Sequence, residues 1–152
     1  MSNRQPDIDY RPPRLAVDYS SVALVGCGNI SRTHLRVYRA IGLDVVVLCD
    51  LDRGLAERRR EEFCPKATVY DDVDQLLFAG VEVVDVATRP AQRVAIIEKA
   101  LMVGCHVLSQ KPFANDMTGA RRLVAVANAS GKGLPSTKMA GGPHTGRMPG
   151  NS

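Results

Sequence analysis

The sequence predicts an α/β fold, a doubly wound parallel sheet covered by helices on both faces in three layers, αβα. Three observations carry this. Apolar runs of strand length recur along the chain, and each is separated from the next by a stretch with helical spacing. Glycine, aspartate and proline stand at the ends of these segments, where turns and caps need them. Strands alternating with helices of this length imply right-handed crossovers, and therefore parallel pairing.

Order is expected from Ser21. Val22-Ala23-Leu24-Val25 is apolar throughout and ends at Gly26, as a strand buried on both faces would. Ile30, Leu35, Tyr38 and Ile41 then give approximate helical spacing up to Gly42, and Val45 to Cys49 is a second strand closed by Asp50. Leu51 to Phe63 reads as a charged surface helix with Pro65 past its end. Thr68-Val69-Tyr70 is a brief strand, and Asp72 N-caps a short helix through Leu77. Val83 to Ala87 is another buried strand. Ala91 to Val103 is a helix with Val94, Ile97, Ala100 and Leu101 on one face, stopped at Gly104. His106-Val107-Leu108 is the last strand, and Asp116 caps a helix reaching about Ala129.

The domain organisation follows. Residues 1–20, with Pro6, Pro12 and Pro13, read as a loose arm; 21–134 form the domain; 135–152, with Pro135, Pro143 and Pro149, form an irregular tail. At 152 residues the chain suits one domain rather than two. A hydrophobic fraction of 45% beside 24% charged residues is ordinary for a globular protein. No apolar run exceeds strand length, which excludes a membrane span. The N-terminus, with Arg4, Asp7, Asp9 and Arg11, has no apolar signal segment, so a cytoplasmic location is expected. Cys27, Cys49, Cys64 and Cys105 show no C-x-x-C spacing, so they are expected as buried reduced thiols, with no metal site and no disulfide. The net charge of +4 does not point to nucleic acid, because Arg58-Arg59-Arg60 is flanked by Glu57, Glu61 and Glu62 and reads as a solvated helix face.

Chemistry concentrates after the first strand. In Gly26-Cys27-Gly28-Asn29-Ile30-Ser31, Gly26 permits a tight turn and Gly28 lets a pyrophosphate approach the backbone. Ser31 is small where helix and strand must pack closely. The helix beginning there offers unpaired N–H groups and a positive dipole end to phosphates. Asp50, twenty-two residues past Gly28 and at the end of the second strand, stands where a carboxylate accepts hydrogen bonds from the adenosine ribose. This is the pattern of a Rossmann dinucleotide site. The carboxylate repels a 2′-phosphate and favours NAD, while Arg53 keeps NADP possible. A methyltransferase loop also combines such glycines with such an acid, usually as G-x-G-x-G, whereas Ile30 stands at that third position here.

A second motif, Gly104-Cys105-His106-Val107-Leu108-Ser109-Gln110-Lys111-Pro112, brings a lysine to the carboxyl edge of the sheet directly after a strand. Spacing alone allows that lysine to polarise a carbonyl, to assist proton transfer, or to be a surface residue. Together three stretches resemble the glucose–fructose oxidoreductase / inositol dehydrogenase (Gfo/Idh/MocA) family. They are Gly26-x-Gly28-x-Ile30-Ser31-x-x-His34, Val86-Ala87-Thr88-Arg89-Pro90, and Gly104-x-His106-Val107-Leu108-x-Gln110-Lys111-Pro112, and the match runs from about Ser21 to Leu134. The resemblance demotes the methyltransferase reading. It implies an oxidoreductase that moves a hydride between NAD(P) and a sugar, cyclitol or similar polyol. It also implies Lys111 beside the nicotinamide ribose and the reacting oxygen, Thr88 and Pro90 on the nicotinamide side, Gln110 in the place of the usual glutamate, and Pro112 completing the motif.

The departures are specific. Gln110 lacks the family's negative charge, and Arg93, where the family often has histidine, is expected on the helix surface. His34 is expected to be packed and hydrogen-bonded, His106 structural, and His144 in the tail without a role. The family continues from Gly133-Leu134 into a substrate domain, whereas here Pro135-Ser136-Thr137-Lys138-Met139 follows. A truncation or frameshift near Leu134 is therefore expected, with a catalytically incomplete, self-associating chain as its consequence. The other reading is a stand-alone dinucleotide-binding module, a sensor or a subunit of some partner.

Overall fold

The computed structural model describes residues 21–112 and 114–131; the expected arm, the tail and His144 lie outside them. Ten elements alternate without exception: β1 (Val22–Val25), α1 (Asn29–Ile41), β2 (Val45–Cys49), α2 (Arg53–Phe63), β3 (Thr68–Tyr70), α3 (Val73–Phe78), β4 (Val83–Val86), α4 (Pro90–Met102), β5 (His106–Ser109) and α5 (Met117–Ser130). Every expected strand and helix is present, with ends moved by one or two residues. The helix starts follow local chemistry. Asp52, Asp72 and Asp116 each accept from backbone N–H groups of the turn they open, at 3.0, 2.9 and 2.7 Å. Pro90 begins α4, where a missing N–H costs nothing.

The sheet is wholly parallel, in the order β3-β2-β1-β4-β5. Alternate side chains of each strand enter opposite cores. Ala23, Val25, Val47, Val84, Val86 and Val107 pack against Leu76, Ile97, Leu101 and Leu123 of α3, α4 and α5. Val22, Leu24, Leu48 and Val83 pack on the other face against Leu35 and Tyr38 of α1 and Ala56 of α2. This is the expected three-layer arrangement. The strand order reverses direction between β1 and β4, so the chain segments leaving their carboxyl ends diverge and open a crevice.

Two arginines correct the sequence reading. Arg59, expected on a solvated face, is buried: its Nε donates to Ser31 Oγ at 3.1 Å, and Nη1 lies 3.5 Å from Glu62. Arg93, expected on the surface of α4, is only 4% exposed. Both turn inward because buried oxygens on neighbouring segments need donors, and helical periodicity says nothing of that.

Candidate functional site

At the carboxyl edge the chain turns from β1 into α1 through Gly26. Its φ of +96° is open to glycine, and a Cβ there would lie 2.8 Å from the carbonyl carbon and oxygen of Ala87. Glycine is thus required by the close approach of the turn that follows β4. At Gly28 a Cβ would meet nothing within 4 Å among the described residues, which leave the space above it open. Gly28 is also the N-cap of α1, gives no side-chain cap, and is followed by a first turn without an acid. That helix end is left to an outside anion. Asn29 and Ile30 are exposed beside it, whereas Ser31 is fully buried and donates to Gly28 O at 2.5 Å while accepting from Arg59. The third position is therefore a hydrogen-bonded brace between α1 and α2 as well as a small residue.

Asp50 closes β2 and grips the glycine loop. Its Oδ2 accepts from Cys27 N–H at 2.7 Å and its Oδ1 from Asp52 N–H at 2.8 Å. Each oxygen keeps a lone pair for another donor. Gly26, Asp50 and Thr88 line one cleft of about 450 Å³ with Leu51, Asp72 and Ile96. Among the described residues Thr88 Oγ1 is buried without a hydrogen-bond partner. The buried thiols nearby are inert by environment: burial, with the charge of Asp50 adding, pushes Cys27 up to about 12, and burial does the same for Cys49.

Farther along the edge Lys111 and Pro112, both exposed, line a second open cleft of about 500 Å³ with Asn115 and Asp116. Thr88 thus lines the first cleft and Lys111 the second. The two regions are joined by Arg93. Its guanidinium donates to the carbonyls of Thr88, Gln110 and Pro112, so one buried side chain fastens the β4–α4 turn to the segment bearing Lys111. Burial without a carboxylate partner lowers its pKa from the ordinary arginine value.

Beneath the edge runs a hydrogen-bonded chain. Asp85, fully buried in β4, has an Oδ2 that accepts from Tyr38 Oη at 2.5 Å and pairs with His34 Nδ1 at 2.6 Å. His34 Nε2 meets the carboxamide of Gln110 at 2.7 Å. His34 is packed as expected, and the hydrogen bond to Asp85 raises its pKa above the usual 6.5 against the opposing effect of burial. A group with a raised folded-state pKa adds stability that is fully present below 6.5 and is lost as pH rises through the folded pKa. The urea midpoint is thus expected to fall over that window in the wild type and not in His34→Gln. An equal fall in both would assign the effect to another group.

These features fit a dinucleotide: an uncapped helix start above an open glycine, a carboxylate with spare lone pairs, and an orphaned hydroxyl in the same cleft. Residues 20–135 match the Gfo/Idh/MocA family, described as "Oxidoreductase family, NAD-binding Rossmann fold". The chain belongs to this family. Among Gfo/Idh/MocA relatives, a D-apiose dehydrogenase from Paraburkholderia graminis is 34% identical over 110 residues, covering 72% of this chain and 29% of that protein. An inositol 2-dehydrogenase from Agrobacterium fabrum is 31% identical over 116 residues, covering 74% of this chain and 34% of that protein. Among solved structures, GenD2 from gentamicin A biosynthesis, in complex with NAD, superposes with a TM-score of 0.72 at 30% identity, over 79% of this chain and 34% of that one. The chain spans about a third of the length of the curated relatives it matches.

Sequence reasoning missed Asp85, Tyr38 and the inward turn of Arg93. One signal was present: a carboxylate within the apolar run Val83 to Ala87 needs a buried partner, and His34 and Tyr38, four apart on one helix, share a face.

Proposed function

We propose that this chain is the NAD(P)-binding part of an oxidoreductase that moves a hydride between the cofactor and a carbon of a sugar, cyclitol or related polyol. The observation that carries this is the cleft at the β1/β4 crevice, where Asp50 holds the glycine loop and the buried Thr88 hydroxyl has no hydrogen-bond partner among the described residues. When bound, the nicotinamide supplies or accepts the hydride. The chain's own residues bind and orient. Gly28, Asn29, Ile30 and Ser31, with Gly26 shaping the turn, present the start of α1 to the pyrophosphate. Asp50 takes the adenosine ribose hydroxyls. Thr88 and Pro90 wall the approach toward the nicotinamide, and Gln110 and Pro112 shape the edge around Lys111. Lys111 is the catalytic residue of this reading: its ammonium donates a hydrogen bond to the reacting oxygen and steadies negative charge there.

NAD is preferred to NADP in this reading. Asp50 repels a 2′-phosphate, and Arg53, the cation that could receive one, lies 3.8 Å from Glu57. Titration of the chain with NADH and NADPH, followed by nicotinamide fluorescence, tests the function. Saturable binding favouring NADH is expected, and binding of neither cofactor would overturn the proposal.

Among the described residues no helix is long and apolar enough to cross a membrane. The four free cysteines suit a reducing compartment such as the cytoplasm, which we include in the proposal. Exposed Met117 and Val124 on α5 give the chain an apolar surface for self-association.

A further inference from the structure

The imidazole of His34 has two partners and two protonation states, and the geometry ties both to Gln110. Nδ1 faces Asp85, a buried carboxylate that can only accept, so Nδ1 carries a proton in either state. All titration is thereby confined to Nε2, which faces the Gln110 carboxamide at 2.7 Å. With Nε2 bare, the contact requires the amide NH₂ to donate, which leaves the amide oxygen for the cofactor edge. With Nε2 protonated, the contact requires the amide oxygen to accept, which leaves the NH₂ for that edge. The groups facing the ring are Asp85 from β4, Tyr38 edge-on from the next turn of α1, and Gln110 after β5. Arg93 of α4 holds the Gln110 backbone carbonyl, so the main chain stays fixed while the carboxamide turns.

We propose that His34 is a positioning residue whose protonation state sets which end of the Gln110 carboxamide is presented to the cofactor. This rests on the dinucleotide reading and adds a control to it. A carboxylate at position 110, being acceptor-only, could not reverse in this way; the amide can. At an edge where the neighbouring Lys111 ammonium can only donate, a ribose hydroxyl is better complemented by the amide oxygen as acceptor than by the NH₂ as a second donor. Deprotonation of His34 therefore tightens cofactor binding.

The test is NADH titration from about pH 5.5 to about pH 8.5, on the wild type and on Gln110→Met, which leaves the His34–Asp85 contact and has no amide to reverse. Wild-type affinity is expected to rise about three- to tenfold across the range, as one neutral hydrogen bond would give, while Gln110→Met stays flat. Superimposable profiles would overturn the proposal and leave the function standing. Absence of NADH binding by the wild type at every pH would overturn the function and the proposal with it. Nitrogen-15 spectra of the His34 ring supply a second arm that needs no cofactor. Nδ1 should remain protonated throughout while Nε2 titrates, and a neutral ring protonated at Nε2 would overturn the proposal.

Discussion

Replacing Arg93 by alanine is expected to lower stability by about 3 kcal/mol and to weaken cofactor binding with it. Three backbone carbonyls, of Thr88, Gln110 and Pro112, accept from this one guanidinium, and the side chain is 4% exposed. Hydrogen bonds to a charged group contribute roughly 1.5–3 kcal/mol each, and an acceptor left dry costs about 1–3. The sum is tempered because the turn can relax and admit water. Against a domain stability of about 5–15 kcal/mol the loss is large. Arg93→Lys is expected to recover only part of it, since an ammonium on a shorter reach cannot span three carbonyls as a planar fork does. Urea unfolding measures both variants. A stability for Arg93→Ala within about 0.5 kcal/mol of wild type would show that the carbonyls are satisfied without it.

The second large effect is at Asp50. Asp50→Ala is expected to weaken NADH binding about ten- to a hundredfold, the equivalent of one charge-assisted hydrogen bond. In the proposed reading two losses combine: the carboxylate would no longer meet the ribose, and the N–H groups of Cys27 and Asp52 lose the acceptor that shapes the loop. The same substitution removes the repulsion toward a 2′-phosphate, so NADPH should lose less than NADH. Calorimetric titration with both cofactors reads the two effects. Unchanged NADH affinity would remove Asp50 from the site, and an equal loss for NADPH would remove its part in cofactor choice.

The two variants differ in how far their residues could be read beforehand. The place of Asp50 was legible because it is set by position: an acid closing the second strand, a fixed distance after the glycine loop it holds. Arg93 was not. The pattern Val94, Ile97, Ala100 and Leu101 marks a core-facing stripe, and an arginine beside that stripe reads as solvent-facing until the carbonyls of two other loops converge on it. Arg59 was hidden in the same way, inside a run of charges whose flanking glutamates suggested water on every side. Asp85 was hidden by the strength of its neighbours, since four apolar residues around it sufficed to identify the strand.

By itself the sequence determined the alternation of strands and helices, the caps at Asp72 and Asp116, the glycine turn and the family, because each of these depends on residues near one another along the chain. The period of a strand or helix, a cap's reach to the next turn and a motif's spacing are local quantities. Only the tertiary structure decided that Asp85 joins Tyr38 and His34 to Gln110, that Arg59 braces Ser31, and that Arg93 fastens the Thr88 turn to the Lys111 segment. Those contacts link different elements of the fold, from α1 across the sheet to the end of β5. Burial left each of these polar groups without water, and a partner on another element was what remained to satisfy it.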